Sequence, residues 1–72
     1  MDIGSRVRSL RKTTGLTQEE LARRAGVNLK VVGLLERGDT RDPHISNLQS
    51  IAHALGVSVG ELLEEPAFAG KA

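Results

Sequence analysis

The side chains able to do acid–base, nucleophilic or metal chemistry are few, and their spacing does not favour it. His44 and His53 stand nine residues apart, on opposite sides of any helix that carried both. No cysteine completes a ligand set, so two solvated histidines are the simpler reading. Serine, histidine and aspartate all occur, but without a nucleophile elbow, a glycine-rich phosphate loop or a paired acidic site. The residues therefore predict no catalytic centre, no metal and no cofactor. What the charged residues can do is hold a polyanion. Eight Lys and Arg against four Asp and Glu give residues 1–37 a charge of +4, while two against five leave residues 38–72 at −3. Such a split points to one face for a polyanion and another for something else. Solvated helix faces would produce the same split.

The rest of the composition narrows the partner. A chain of 72 residues has room for one small domain, and a fold of that size more readily binds than encloses a catalytic cleft. With 39% hydrophobic and 26% charged residues it is neither a disordered tail nor a membrane protein. Its apolar runs fall far short of the ~20 residues of a membrane span. The opening residues lack the apolar stretch of a signal peptide, and cysteine is absent, which together predict a cytoplasmic protein. Phe68 is the only aromatic residue, so single strands cannot be read by base stacking.

Turn residues divide the chain into five short helical segments, and no run shows the alternation of a strand. The first covers about residues 2–14, with Asp2 as cap, Ile3, Val7 and Leu10 on one stripe and Gly15 as stop. The second opens with Thr17-Gln18-Glu19-Glu20, a capping box, and closes at Gly26. The third is capped by Asn28 and ends before Gly38. The fourth follows Pro43, carries Ile45, Leu48, Ile51, Ala52 and Leu55 as its apolar stripe, and stops at Gly56. The fifth opens with a second capping box at Ser58 and Glu61, places Leu62 and Leu63 in the core, and ends at Pro66. Residues 1–65 are expected to form the domain and residues 66–72 a flexible tail. Only Gly26 and Val27 separate the second helix from the third, too short a joint for antiparallel packing, which sets the two at a steep angle.

Three blocks in this order carry a resemblance. Leu16-Thr17-Gln18-Glu19-Glu20-Leu21-Ala22-Arg23-Arg24-Ala25-Gly26-Val27, then Leu35-Glu36-Arg37-Gly38, then Ile51-Ala52-His53-Ala54-Leu55-Gly56-Val57-Ser58 resemble the Cro/C1-type (XRE family) helix-turn-helix repressors. Residues 3–11 are similar to the first helix of lambdoid phage repressors. The resemblance covers about residues 3–65. It implies an all-α, five-helix, lambda-repressor-like DNA-binding domain whose helix-turn-helix is formed by the second and third helices. In that motif the second helix of the pair enters the major groove of double-stranded DNA, with its N-terminal residues near base edges.

A helical wheel divides that third helix. Asn28, Val31, Val32 and Leu35 share one arc, which reads as core. Leu29, Lys30, Gly33, Leu34 and Arg37 share the other. Leu29, Lys30, Gly33 and Leu34 on the open arc, with Asn28 at the N-terminal end, are the candidate base contacts. Where family members commonly offer polar groups, this chain offers Leu29, Gly33 and Leu34. Leucines can meet thymine methyls and a glycine admits close backbone approach. Alternatively, phosphate contacts and DNA shape carry the binding, or the face binds protein.

The resemblance also assigns phosphate contacts to Gln18, Arg41 and His44, although Asp39 and Asp42 lie in the same loop as Arg41. Gln18 stands at a helix start, where free amides favour a phosphate, and a merely solvated helix start is the lesser alternative. Arg37 could reach a phosphate or remain a solvated helix-end cation. Arg11 and Glu36 match a family pair that forms a buried salt bridge, which gives them a structural role. Val57, Val59 and Phe68 fall where lambdoid repressors dimerise. The expected function is a sequence-specific transcriptional regulator, a repressor acting as a homodimer on a palindromic operator. The rival is a protein-interaction module, antitoxin-like or anti-repressor, with another protein as main partner. A piece of a larger regulator is a third reading, against which Met1 at the start and the small, polar end are expected features of a whole chain.

Overall fold

The computed structural model describes residues 3–40 and 42–63, and among these it contains five helices and no strand. They are α1 (Ile3–Thr14), α2 (Gln18–Ala25), α3 (Leu29–Arg37), α4 (Ile45–Leu55) and α5 (Val59–Leu63). The local signals act where the sequence puts them. Thr17 Oγ1 accepts from the Glu20 amide at 3.0 Å while Glu20 Oε1 accepts from the Thr17 amide at 2.8 Å. Ser58 and Glu61 repeat the exchange at 2.8 and 3.1 Å. Each box satisfies two amides that a helix start leaves free. The Asp2 cap, the Pro66 stop and the tail after it lie outside the described residues.

One core joins the helices. Val7, Leu21, Val32, Ile51 and Leu62 are its largest fully buried side chains, one from each of the five helices. α2 packs against α3 and α4, while α1 crosses α3 and α5. Two expected core residues are not in it. Ile45 is 57% exposed and Leu63 54%. Ile45 is the first residue of α4, one turn before Leu48, where the buried part of the stripe begins. Leu63 follows Leu62, and neighbours on a helix differ by about 100°, so only one of the two can point inward; Leu62 does.

α1 and α3 approach closely at Gly4. This α1 residue is buried, and a Cβ there would overlap the Leu35 carbonyl oxygen of α3. Bare backbone at this point lets α1 lie directly on the end of α3.

Candidate nucleic-acid interface

The joint between α2 and α3 sets the geometry of the site. Gly26 takes the left-handed conformation at φ 71°, and its amide and that of Val27 close on the Ala22 and Arg23 carbonyls. A side chain at that φ would be strained. Val27 thereby drops back onto the core. Asn28 follows in extended backbone, and its Oδ1 accepts from the Lys30 amide at 2.8 Å. The chain therefore leaves α2, turns, and starts α3 after three residues, Gly26, Val27 and Asn28.

α3 is held by one side. Val32 and Leu35 are buried, and Glu36 beside them is bonded to two other helices. Arg11 donates to the Glu36 carboxylate twice, from Nε at 2.7 Å and from Nη2 at 3.1 Å, and its Nη1 donates to the Leu16 carbonyl at 2.8 Å. Gln18 Nε2 donates to the same carboxylate at 3.1 Å. The Arg11 and Glu36 side chains are 12% and 3% exposed. The hydrogen bonds that Arg11 donates to Glu36 raise its pKa, against the opposing effect of burial, so this arginine stays charged at every working pH. A buried carboxylate with three donors ties α1 and the start of α2 to the last turn of α3.

The other side of α3 is open. Leu29 is 43% exposed, Lys30 is exposed, and Gly33 is half-buried only by its own helix. Leu34 is also half-buried, and it leans into a cleft of about 220 Å³ shared with Val31, Thr40, Pro43 and Leu48. It is therefore turned more toward the loop after α3 than Leu29 is. Asn28 is exposed at the tip rather than packed at the end of the core arc. Arg37 closes the helix with its side chain 65% exposed, and its Nε meets Asp39 Oδ2 at 3.2 Å, an exposed pair of little energetic weight.

The remaining expected site residues are dispersed. Gln18 is the first residue of α2, with its amide nitrogen committed to Glu36. His44 is exposed at the N-cap of α4 and makes no side-chain capping bond. Arg41 and Phe68 lie outside the described residues. Val57 and Val59 are half-buried against the core. Sequence reasoning missed the Gly4 contact, the Gln18–Glu36 bond and a link from Arg6 Nη2 to the Glu61 carbonyl at 2.7 Å. Of these only Gly4 left a trace, as a glycine in the first turn of an otherwise regular helix. Among the described residues no three His, Cys, Asp or Glu side chains gather as a metal site, and no helix is long and apolar enough to cross a membrane.

Comparison with known proteins supplies the lineage. The sequence pattern of the helix-turn-helix family matches residues 7–62. An HTH-type transcriptional regulator of Sinorhizobium fredii, y4dJ, is 44% identical over 61 residues, which span 85% of this chain and 78% of that one. The immunity repressor protein of Bacillus phage phi105 is 35% identical over 65 residues, 90% of this chain but only 44% of the phage protein. The crystal structure of SinR, a master regulator for biofilm formation, in complex with DNA superposes with a TM-score of 0.82 at 37% identity, covering 86% of this chain and 98% of that one. The protein belongs to the helix-turn-helix family, and within it to the Cro/C1-type (XRE) regulators.

Proposed function

We propose that this chain is a sequence-specific, double-stranded DNA-binding transcriptional regulator, a repressor that binds a palindromic operator as a two-fold dimer. The observation that carries the reading is the one-sided anchoring of α3. Its inner face is fixed by Val32, Leu35 and Glu36, while its N-terminal end and outer face stand free and bear Lys30 and Arg37. A helix so presented fits lengthwise in a major groove. Asn28, Leu29, Lys30, Gly33 and Leu34 then face base edges. Gln18, Arg37, Arg41 and His44 face phosphates on either side, with Gln18 at a helix start whose free amides favour an anion. Gln18 would use its backbone amide and its second side-chain amide hydrogen, since Glu36 takes the first. Val57, Val59 and Phe68 form the dimer contact, residues 1–65 the binding domain and 66–72 a tail. The protein works in the cytoplasm and catalyses no reaction.

Selection of duplexes from a random pool tests this. A two-fold consensus is expected, with affinity falling steeply as salt rises because bound phosphates release counterions. Arg37→Ala should flatten the logarithmic salt dependence by about 1, as loss of a phosphate contact does, while Lys30→Ala should weaken binding and relax the preference at one base position. Failure to bind any duplex at low salt would refute the reading. A second reading, favoured by the exposed Leu29, Ile45 and Leu63, makes another protein the main partner. Retention of such a partner by a chain that ignores DNA would establish it.

A further inference from the structure

Gly33 is a glycine the fold does not need. Gly15, Gly26, Gly38 and Gly56 occupy left-handed backbone, and Gly4 sits where a Cβ would overlap α3. Gly60 lies in the first turn of α5, where a helix tolerates it most easily. Gly33 is the fifth of nine residues in α3, with ordinary helical backbone. A Cβ added there would meet only Arg37 Nη1, at 3.9 Å. Glycine is the poorest helix former apart from proline, so an alanine would fit this position and suit the helix better.

The surroundings of the bare position are specific. Leu29, Gly33 and Arg37 succeed one another at four-residue steps and share a face. An exposed leucine therefore stands one turn before the half-buried Gly33, which has no side chain, and an exposed arginine, loosely paired with Asp39, one turn after it. Lys30 is exposed beside them. Two cations around an apolar notch complement an anionic surface that presents an apolar group. On the major-groove edges of DNA that group is the C5-methyl of thymine. Leu29 has no hydrogen-bonding atom with which to read any other feature of a base.

We infer that Leu29 and Gly33 form a slot that selects a thymine by its methyl group, the absent Cβ letting α3 come close enough for Leu29 to cover it. This rests on the DNA-binding reading above and names the base feature its exposed face selects. Burying one methyl corresponds to a factor of about four in affinity (~0.8 kcal/mol).

The test uses the consensus duplex selected by the native chain, with each thymine replaced in turn by uracil, which differs only in lacking the methyl. One thymine in each half of the site is expected to lose about fourfold on replacement. In Leu29→Ala that difference between thymine and uracil should vanish. Gly33→Ala should melt no lower than the native chain yet bind the thymine duplex at least about tenfold more weakly, because its added methyl occupies the slot. Indifference to uracil at every position, or native affinity in Gly33→Ala, would overturn the slot while leaving DNA binding standing. A Gly33→Ala chain that keeps its DNA affinity but loses a protein partner would overturn it as well. Failure of the native chain to bind any duplex would remove both this inference and the reading beneath it.

Discussion

Truncation of Glu36 to alanine should be among the most damaging single changes available to this domain. It removes the acceptor of two Arg11 N–H groups and of the Gln18 amide in one step. The Arg11 side chain, 12% exposed, would remain covered with its charge unpaired. Breaking one partner of a buried pair in this way costs about 3–5 kcal/mol. A domain of 72 residues has a total stability of roughly 4–11 kcal/mol at ordinary values per residue, so the variant is left marginal or unfolded. At about 4–8 °C per kcal/mol for this size, its melting temperature should fall by at least about 12 °C. Arg11→Ala should also destabilise strongly, because it leaves the carboxylate buried without its cation. Arg8→Ala, at an exposed position of the same helix, should stay within about 0.5 kcal/mol of the native chain. The decisive variant is the double replacement Arg11→Met with Glu36→Leu. Removing both charges leaves nothing ionic to strand, so it should be much more stable than either single truncation. Thermal and urea melts followed by circular dichroism at the helical band measure all four. If Arg11→Ala and Arg8→Ala melt alike, or the double variant is no better than Glu36→Ala, the pair does not hold α1 to α3 as described.

Three further outcomes follow from the same structure. Gly4→Ala should destabilise by about 1–3 kcal/mol despite the better helix former, since the new methyl must push the Leu35 carbonyl aside; a melt equal to or above the native one would contradict the close approach. Leu21→Ala should cost about 2–5 kcal/mol and Ile45→Ala little, because the first side chain is fully buried and the second is 57% exposed; equal losses in urea melts would place Ile45 in the core after all. Glu20 is held below the ordinary glutamate range, first by the Thr17 backbone amide and then by the Thr17 hydroxyl. Its contribution is therefore present above the unfolded value and lost as pH falls through the lower folded one. The stability gap between the native chain and Glu20→Gln should close between neutral pH and strong acid, and a gap that persists in acid would contradict the capping bond.

How legible the molecule was depends on the range of each interaction. Thr17 with Glu20, Asn28 with Lys30 and Ser58 with Glu61 lie two or three residues apart, so the sequence pattern itself contains both partners. The same holds for Gly26, whose role is set by the turn it occupies. Ile45 misled because periodicity gives the direction of a stripe but not where its covering neighbour ends, and Leu63 because two adjacent leucines were both read as inward. Arg11 and Glu36 are 25 residues apart, and only the family resemblance pairs them; their ion pair is present in the folded chain. Gln18 shows the opposite case. It was readable as a residue at a helix start, but its bond to Glu36 depends on the angle between α2 and α3, which no local pattern states. Gly4 meets Leu35 across 31 positions of chain, and such a contact leaves no periodic trace.

The division of α3 into an anchored side and a bare side has an evolutionary corollary. The helix meets its chassis chiefly at Val32, Leu35 and Glu36, with Val31 and Leu34 lining the cleft beside the following loop. Positions 29, 30 and 33 owe it nothing. On the proposed docking, those three letters can be rewritten together without refolding the scaffold, so a lineage of such chains would change address while its frame stands still. Grafting the corresponding triplet from a cousin onto this frame is accordingly a practical route to a redirected protein.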